Sequence, residues 1–538
     1  MVKVKKMMIV AIAMIMVFSL VACSGNNNAS TNVKTDSGTK NGDSKNDAKT
    51  NTPEETGLID TSEFVTISYL VLGNKPTNGQ LETVMEKVNV ILKEKVNAEL
   101  KFTWIEWADW QTKYNLALAS GEPIDLITIG TDWLDTWNNA QRGAFMAIDD
   151  LLPEYAPITW NEVPAEDWEE SKFNGKIVLI PENNYTQWVN HGIYYRGDWA
   201  TELGIIQPIT DMETMGEYFQ AIKEKKPSVV PIDLDSSKSG VLYGGMVSKT
   251  DNIDMNIATG LIGIFMGKSY DEKYTVDSPV FNPLFVDYAK MMKEWADKGY
   301  WREDVLNYKG DPRVALKAGL SGADSHHTQT YRTLRVEMDK EQPGSELQMY
   351  SFSDTRNNLV SMSITHGGTS VGAHSKNPER ALMVYELIRQ DAEVYKMINY
   401  GIEGVQYEIV DGKSRRPAGY DEAKHGFYTD FWGGRMDKFE IPSSTVWDNI
   451  QSVYDKYDRI KKPFPYGRFV FDKTNIDAEM TAISQVVGEM APAILFGKAG
   501  DPEKAVENFR KKLKAVGYDK VMAEIQTQLD AYKKMIEG

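Results

Sequence analysis

The chain has 538 residues, with 77 Asp and Glu against 60 Lys and Arg and a formal net charge of −17. That length exceeds a single core and implies two large domains or three small ones, while 42% hydrophobic and 11% aromatic residues exclude a disordered or collagen-like chain. The acidic balance argues against non-specific nucleic-acid binding and a polybasic membrane patch, and the single cysteine excludes a disulfide framework and a multi-cysteine zinc site.

Lys3, Lys5 and Lys6 precede an uncharged apolar run from Met7 to Ala22. A basic start, a short apolar stretch and small residues before a cut site mark a secretory signal, too short for the roughly 20 residues of a spanning helix. Leu20-Val21-Ala22-Cys23-Ser24 resembles a bacterial lipobox. The resemblance implies that residues 1–22 are a lipoprotein signal peptide and that Cys23 is lipidated, its acyl chains giving stable anchoring. Residues 23–60 are dominated by Ser, Asn, Thr, Gly, Asp and Lys and read as a disordered, solvated tether.

The β-branched run Val65–Leu72 predicts a buried strand. A loop with Gly73, Pro76 and Gly79 follows, and then Leu81, Val84, Met85, Val88, Ile91 and Leu92 recur at amphipathic helix spacing. A second strand is expected at 100–105, a helix at 110–119 and a third strand at 124–129. This alternation implies an α/β domain with a mostly parallel sheet covered by helices on both faces. Such sheets bind ligands at the carboxyl ends of their strands, and the loops there carry Trp107, Trp110, Asp132, Trp133 and Trp137. Asn377-Pro378-Glu379 and Asp501-Pro502-Glu503 read as helix starts, each with a capping side chain and proline at the first helical position. The last helix shows Met522, Ile525, Leu529 and Tyr532 on one face.

Four further sets of residues share a family likeness. They are Leu118-Ala-Ser120-Gly121-Glu-Pro123-Ile-Asp125-Leu126 with Thr131-Asp132-Trp133; Gly192-Ile-Tyr194-Tyr195-Arg196-Gly-Asp198-Trp199 with Leu203-Gly204; and Gly367-Gly368-Thr369-Ser370 with Asn377-Pro378-Glu379. The fourth comprises Asn399-Tyr400-Gly401-Ile402-Glu403-Gly404, Phe431-Trp432-Gly433, Gly467-Arg-Phe469-Val-Phe471-Asp472 and Asp501-Pro502. In this order they resemble the extracellular solute-binding proteins of carbohydrate ABC importers, in the large Gram-positive lipoprotein branch with a characteristic C-terminal domain. Gly197 and Ala200 depart from the pattern, which usually has Lys and Leu there.

The resemblance implies a two-lobed periplasmic-binding-protein-like fold with a hinge and a helix-rich C-terminal region. The N-terminal lobe would be 61–187 and 365–420, and the second lobe 188–364 and 421–538. It also implies a lipid-anchored, monomeric, non-enzymatic binding protein on the outer face of a Gram-positive cell membrane. Its partners would be a carbohydrate ligand and the transmembrane subunits of an ABC permease, with no cofactor and no nucleic acid.

A sugar has apolar C–H faces and an equator of hydroxyls, so it needs flat aromatic platforms and fixed planar polar groups. The chain supplies 13 Trp and 26 Tyr. The candidate ligand-binding residues are Trp107, Asp132 and Trp133 in the first lobe, and Asn184, Tyr185, Trp188, Gly368 and Thr369 in the crossings. His326, Tyr400, Glu403, Trp432 and Arg435 complete the set. Gly368 is expected where backbone approaches the ligand closely. His326 and His327, adjacent on a strand, are expected to point opposite ways, which disfavours a metal chelate. Arg196, Arg332, Arg335 and Arg435 leave an acidic sugar open.

Gly368-Thr-Ser370-Val-Gly372 matches a hydrolase nucleophile elbow, but the helix signal comes several residues too late. Asp233-Leu-Asp235 begins like a calcium loop and then fails, with Lys238 where glycine is required. The alternatives that remain are a surface lipoprotein binding a non-sugar solute such as a peptide, and a glycoside hydrolase.

Overall fold

Alternation along the strand Val65–Leu72 sends Ile67, Tyr69 and Val71 to one face of a sheet and Leu70 and Leu72 to the other. The structure, a computed structural model, describes residues 59–183, 190–257, 261, 263–429, 431, 433–447 and 449–538. The signal segment, Cys23 and nearly all of the tether lie outside those residues.

The first sheet has five strands in the order Ala98–Ile105, Val65–Leu72, Leu126–Ile129, Gly368–Val371 and Ile180–Pro181. The first three are mutually parallel, and Gly368–Val371 runs antiparallel to both its neighbours. The expectation of a mostly parallel sheet holds. Helix Gln80–Val96 buries Leu81, Val84, Val88 and Leu92 on one face, beside Leu382, Tyr385 and Ile388 of helix Pro378–Gln390. Helix Trp110–Ala119 covers the other face through Tyr114 and Leu118. Each fully buried Val or Leu contributes roughly 1.5–3 kcal/mol.

The second lobe is built on a three-stranded antiparallel sheet, His191–Tyr195 between Ala323–His327 and Gln348–Ser351. Period two works here as well. Ile193 and Tyr195 join a large core with Tyr218, Phe285, Trp295 and the C-terminal helices, whereas Tyr194 faces Tyr331, Leu334 and Met338 of helix Thr328–Glu341. In the final helix, Tyr518–Glu537, Ile525, Leu529 and Tyr532 are buried and Met522 packs against the same core.

Several local expectations change. Asp501 caps its helix by accepting from Lys504 N at 3.0 Å, but the Asn377 side chain makes no capping bond, and its backbone N–H donates to Ser375 Oγ at 3.2 Å instead. The departure at Gly197 has a steric cause: a Cβ there would collide with the carbonyl oxygen of Glu346. Phe427 and Phe431 pack in the first core, so the first lobe continues past residue 420, where the second was expected to resume.

The chain passes between the two cores three times: after Pro181, before Gly368 and after Phe431. These passages lie side by side. Glu182 N donates to Gly367 O at 3.0 Å and Asn183 N to Arg435 O at 3.3 Å.

Candidate functional site

Two loops at the carboxyl ends of the first sheet bring three tryptophans together. Trp133 lies between Trp107, with ring centroids 6.1 Å apart, and Trp110, at 5.7 Å in an edge-on arrangement. Its indole Nε1 donates to the carbonyl oxygen of His366 at 2.9 Å, which fixes the ring. Trp110 and Trp133 form one wall of a cavity of about 330 Å³, and Ile257, Leu261 and Met480 of the second lobe form the other. Asn115, Asn138, Lys473 and Asp477 add polar groups to it. An apolar aromatic wall beside convergent polar groups is what a saccharide requires.

The group next to Trp133 is charged. His366 Nδ1 donates to both carboxylate oxygens of Asp132, at 2.9 and 2.8 Å. Burial opposes the imidazolium, but the Asp132 charge and hydrogen bond, with Glu182 beside them, outweigh it and raise the His366 pKa. Burial raises the carboxyl of Glu182, against the opposing charges of Arg435 and His366. Arg435 therefore stands in the same group, at the third passage.

The second lobe brings imidazoles near this charged group. The rings of His326 and His327 are 4.1 Å apart, and His191 lies 5.8 Å from His326. The two adjacent histidines do not point opposite ways. The strand ends at His327, whose ring folds over to cap helix Thr328–Glu341, accepting from Thr330 N at 3.3 Å. His326 Nδ1 meets Thr330 Oγ1 at 2.8 Å. Burial first, then His327 and Lys238, pushes the pKa of His326 down to about 2. Burial first, then His191 and His366, takes His327 to about 3. Both rings are therefore neutral near pH 7. Among the described residues no group of three or more His, Cys, Asp or Glu is arranged to hold a metal ion.

Past the first cavity the space continues. A small cavity sharing Asn138 and Ile257 with the first also shares Asn256 with a compartment of about 490 Å³. That compartment is lined by Asn190, His191, Asp254, Tyr270, Asn358 and Phe464, among others.

Of the residues expected from sequence, Trp133 lines the first cavity, Trp107 packs on it, Asp132 and Arg435 belong to the charged group beside it, and His326 lies next to His191, which lines the larger compartment. Gly368 and Thr369 are instead buried inside the sheet. A Cβ on Gly368 would lie 2.5 Å from Ile180 O, so the close approach there is between strands rather than to a ligand. Thr369 Oγ1 donates to Gly433 O at 3.0 Å and pairs with the Tyr69 hydroxyl in the core. Tyr400 donates to Glu440 at 2.9 Å and lines a separate cavity with Tyr407 and Arg415, and Glu403 is exposed on the turn beside it. Asn184, Tyr185, Trp188 and Trp432 lie outside the described residues. Trp110, His366, Glu182 and Asp254 are not among the ligand contacts expected from sequence. For Trp110 the signal was present, an indole at the start of a helix on the binding edge, whereas His366, Glu182 and Asp254 are isolated polar residues that only the folded chain assembles.

Residues 77–382 match the family of bacterial extracellular solute-binding proteins over more than half of the chain. The chain belongs to this family. It is an extracellular family of binding proteins rather than enzymes. Residues 465–534, the C-terminal helices, match a domain of unknown function, DUF3502. A carbohydrate ABC transporter substrate-binding protein of Streptococcus pneumoniae is 25% identical over 484 residues, covering 88% of this chain and 92% of that one. The polygalacturonan/rhamnogalacturonan-binding protein YtcQ of Bacillus subtilis is 25% identical over 339 residues, covering 60% of this chain and 64% of that one. Among solved structures, the N-glycan transport solute binding protein NgtS of Streptococcus pneumoniae superposes with a TM-score of 0.70 at 22% identity, covering 88% of this chain and 99% of that one. That likeness establishes the two-lobed fold.

Proposed function

We propose that this protein captures an oligosaccharide in the cleft between its lobes and delivers it, unaltered, to the permease of an ABC importer. The observation that carries this reading is the wall of Trp110 and Trp133 on the cavity between the lobes, with Trp107 packed on Trp133 and the charged group of Asp132, His366 and Glu182 next to it. Flat rings take the C–H faces of a pyranose, and the carboxylates accept its hydroxyl protons through charge-assisted bonds. The relatives support the reading by their names, which speak of a carbohydrate ABC transporter, N-glycan transport and polygalacturonan/rhamnogalacturonan binding.

The test is a panel of mannose- and N-acetylglucosamine-containing oligosaccharides, uronic-acid oligomers and peptides, read by thermal shift and calorimetry. A saccharide should raise the melting temperature as RT ln(1 + [L]/Kd) predicts and be recovered intact. A response to peptides alone, or a cleaved saccharide, would overturn the proposal.

The lipobox-like Leu20-Val21-Ala22-Cys23 supports membrane anchoring through Cys23, with the tether giving the lobes reach and a monomer serving the permease. Cys23→Ala should move the protein from the membrane fraction to the medium. An unchanged membrane fraction would remove the anchor.

A further inference from the structure

The nature of the saccharide can be narrowed, on the reading that the cleft binds one at all. Asp254 ends the short strand Ile253–Asp254 of the second lobe, and its Oδ1 accepts from Asn256 N at 2.9 Å. Among the described residues it has no ion-pair partner. Its carboxyl is pushed up to about 6, by burial first and also by the charge of Asp132. Asp132 is matched by His366, so Asp254 is the uncompensated charge of the two.

The surroundings have the same sign. The described residues lining the three adjoining cavities include Asp135, Asp254, Asp271 and Asp477, against Lys462 and Lys473, while Asp251 is held by Arg356 through Nε and Nη2 at 2.9 Å each. Lys473 lies 3.7 Å from Asp477, and Lys238 is tied to Ser325 O at 2.9 Å. The arginines that could have received a sugar carboxylate, Arg332 among them, are engaged within the protein. Arg196 holds Asp198 through Nε at 2.9 Å and Nη2 at 2.6 Å. Arg335 holds Asp339 at 2.9 Å and Leu347 O at 2.8 Å. Arg435 lies beside Glu182, and the imidazoles of His326 and His327 carry no charge near pH 7.

We infer that the cleft takes uncharged saccharides and turns away uronic acids, with Asp254 as the residue that sets this selection. A hydroxyl donates to Asp254 in a charge-assisted bond. A uronate carboxylate about 6 Å away would instead be repelled, by on the order of 100-fold in affinity at an effective dielectric constant near 20, at pH 8, where protonating Asp254 to escape the repulsion would cost as much.

The experiment uses the neutral oligosaccharide of the panel that binds most tightly, oxidised at C6 to its uronic acid, and the isosteric neutral uronamide of the same sugar. Both derivatives are titrated calorimetrically into the whole protein at pH 8, at low and high salt. The uronamide should bind with little dependence on salt. The uronic acid should bind at least about 30-fold more weakly, with the gap closing as salt rises. Asp254→Asn should narrow the gap at least about 5-fold. Equal affinity for the two derivatives, or a gap indifferent to salt, overturns this inference and leaves the proposed function standing. A gap unchanged by Asp254→Asn removes Asp254 from the role. If that variant does not fold, the salt series on the unmodified protein decides alone. Failure of every saccharide in the panel to bind would overturn the proposed function first, and this inference with it.

Discussion

His366 Nδ1 donates to Asp132 at 2.8 Å, and the carbonyl of the same His366 accepts from the Trp133 indole at 2.9 Å. One residue of the second passage thereby fixes two consecutive residues of a first-lobe loop, a carboxylate and an aromatic platform. His366 is half-buried and Asp132 nearly buried, with side-chain exposures of 27% and 8%, so water screens the pair only partly.

The pair sets a pH dependence. The folded pKa of His366 is raised, so its contribution is fully present below the unfolded imidazole value near 6.5 and is lost as pH rises through the folded value. His366→Gln should therefore cost more melting temperature at pH 6 than at pH 9. Equal losses at both pH values would show that the pair carries no charge.

Trp133→Ala removes the central ring of the wall and the indole bond to His366. Saccharide affinity should fall by about 2–3 kcal/mol, or roughly 30- to 150-fold. Calorimetry on the folded variant measures it, and a loss below threefold would place the ligand elsewhere.

Gly368→Ala and Thr369→Val test the placement of these residues inside the sheet. The new Cβ at 368 meets the Ile180 carbonyl, and valine at 369 abandons the bond to Gly433 O. Each should cost about 1–3 kcal/mol in denaturant unfolding. Saccharide affinity of the folded fraction should stay within twofold, since neither residue reaches the cleft.

His326 and His327 govern the acid side. Their folded pKa values lie near 2 and 3, below the unfolded imidazole value near 6.5, so the unfolded chain takes up protons first as pH falls. Stability should drop from about pH 6.5 downward, by about 1 kcal/mol for each ring by pH 5 after discounting for their partial exposure. His327→Gln should flatten this limb of a plot of melting temperature against pH.

The first lobe was largely legible in the sequence because its code is local. Val65–Leu72 and Trp110–Ala119 fall where β-branched alternation and helical spacing put them, and Trp107, Asp132 and Trp133 follow from the rule that parallel sheets bind at their carboxyl ends. Tyr400 and Glu403 show where motif reading goes astray. The Asn399–Gly404 stretch is a helix end: Gly401 has φ 86°, and Ile402 N donates to Gln406 Oε1 at 2.7 Å. A turn requirement fixes those residue types, and it resembles a ligand motif in one dimension. The partners of Asp132 were illegible for the opposite reason. Glu182, Asp254 and His366 are far apart along the chain, and no spacing rule joins them to Asp132.

The three side-by-side passages, tied by Glu182 N to Gly367 O and Asn183 N to Arg435 O, make each lobe a composite of separated stretches of the gene. Truncation before Gly368 would strip the first sheet of an interior strand. A protease that nicks one surface loop, by contrast, would yield fragments that stay interleaved. They would part on a denaturing gel and migrate as one species on a native one.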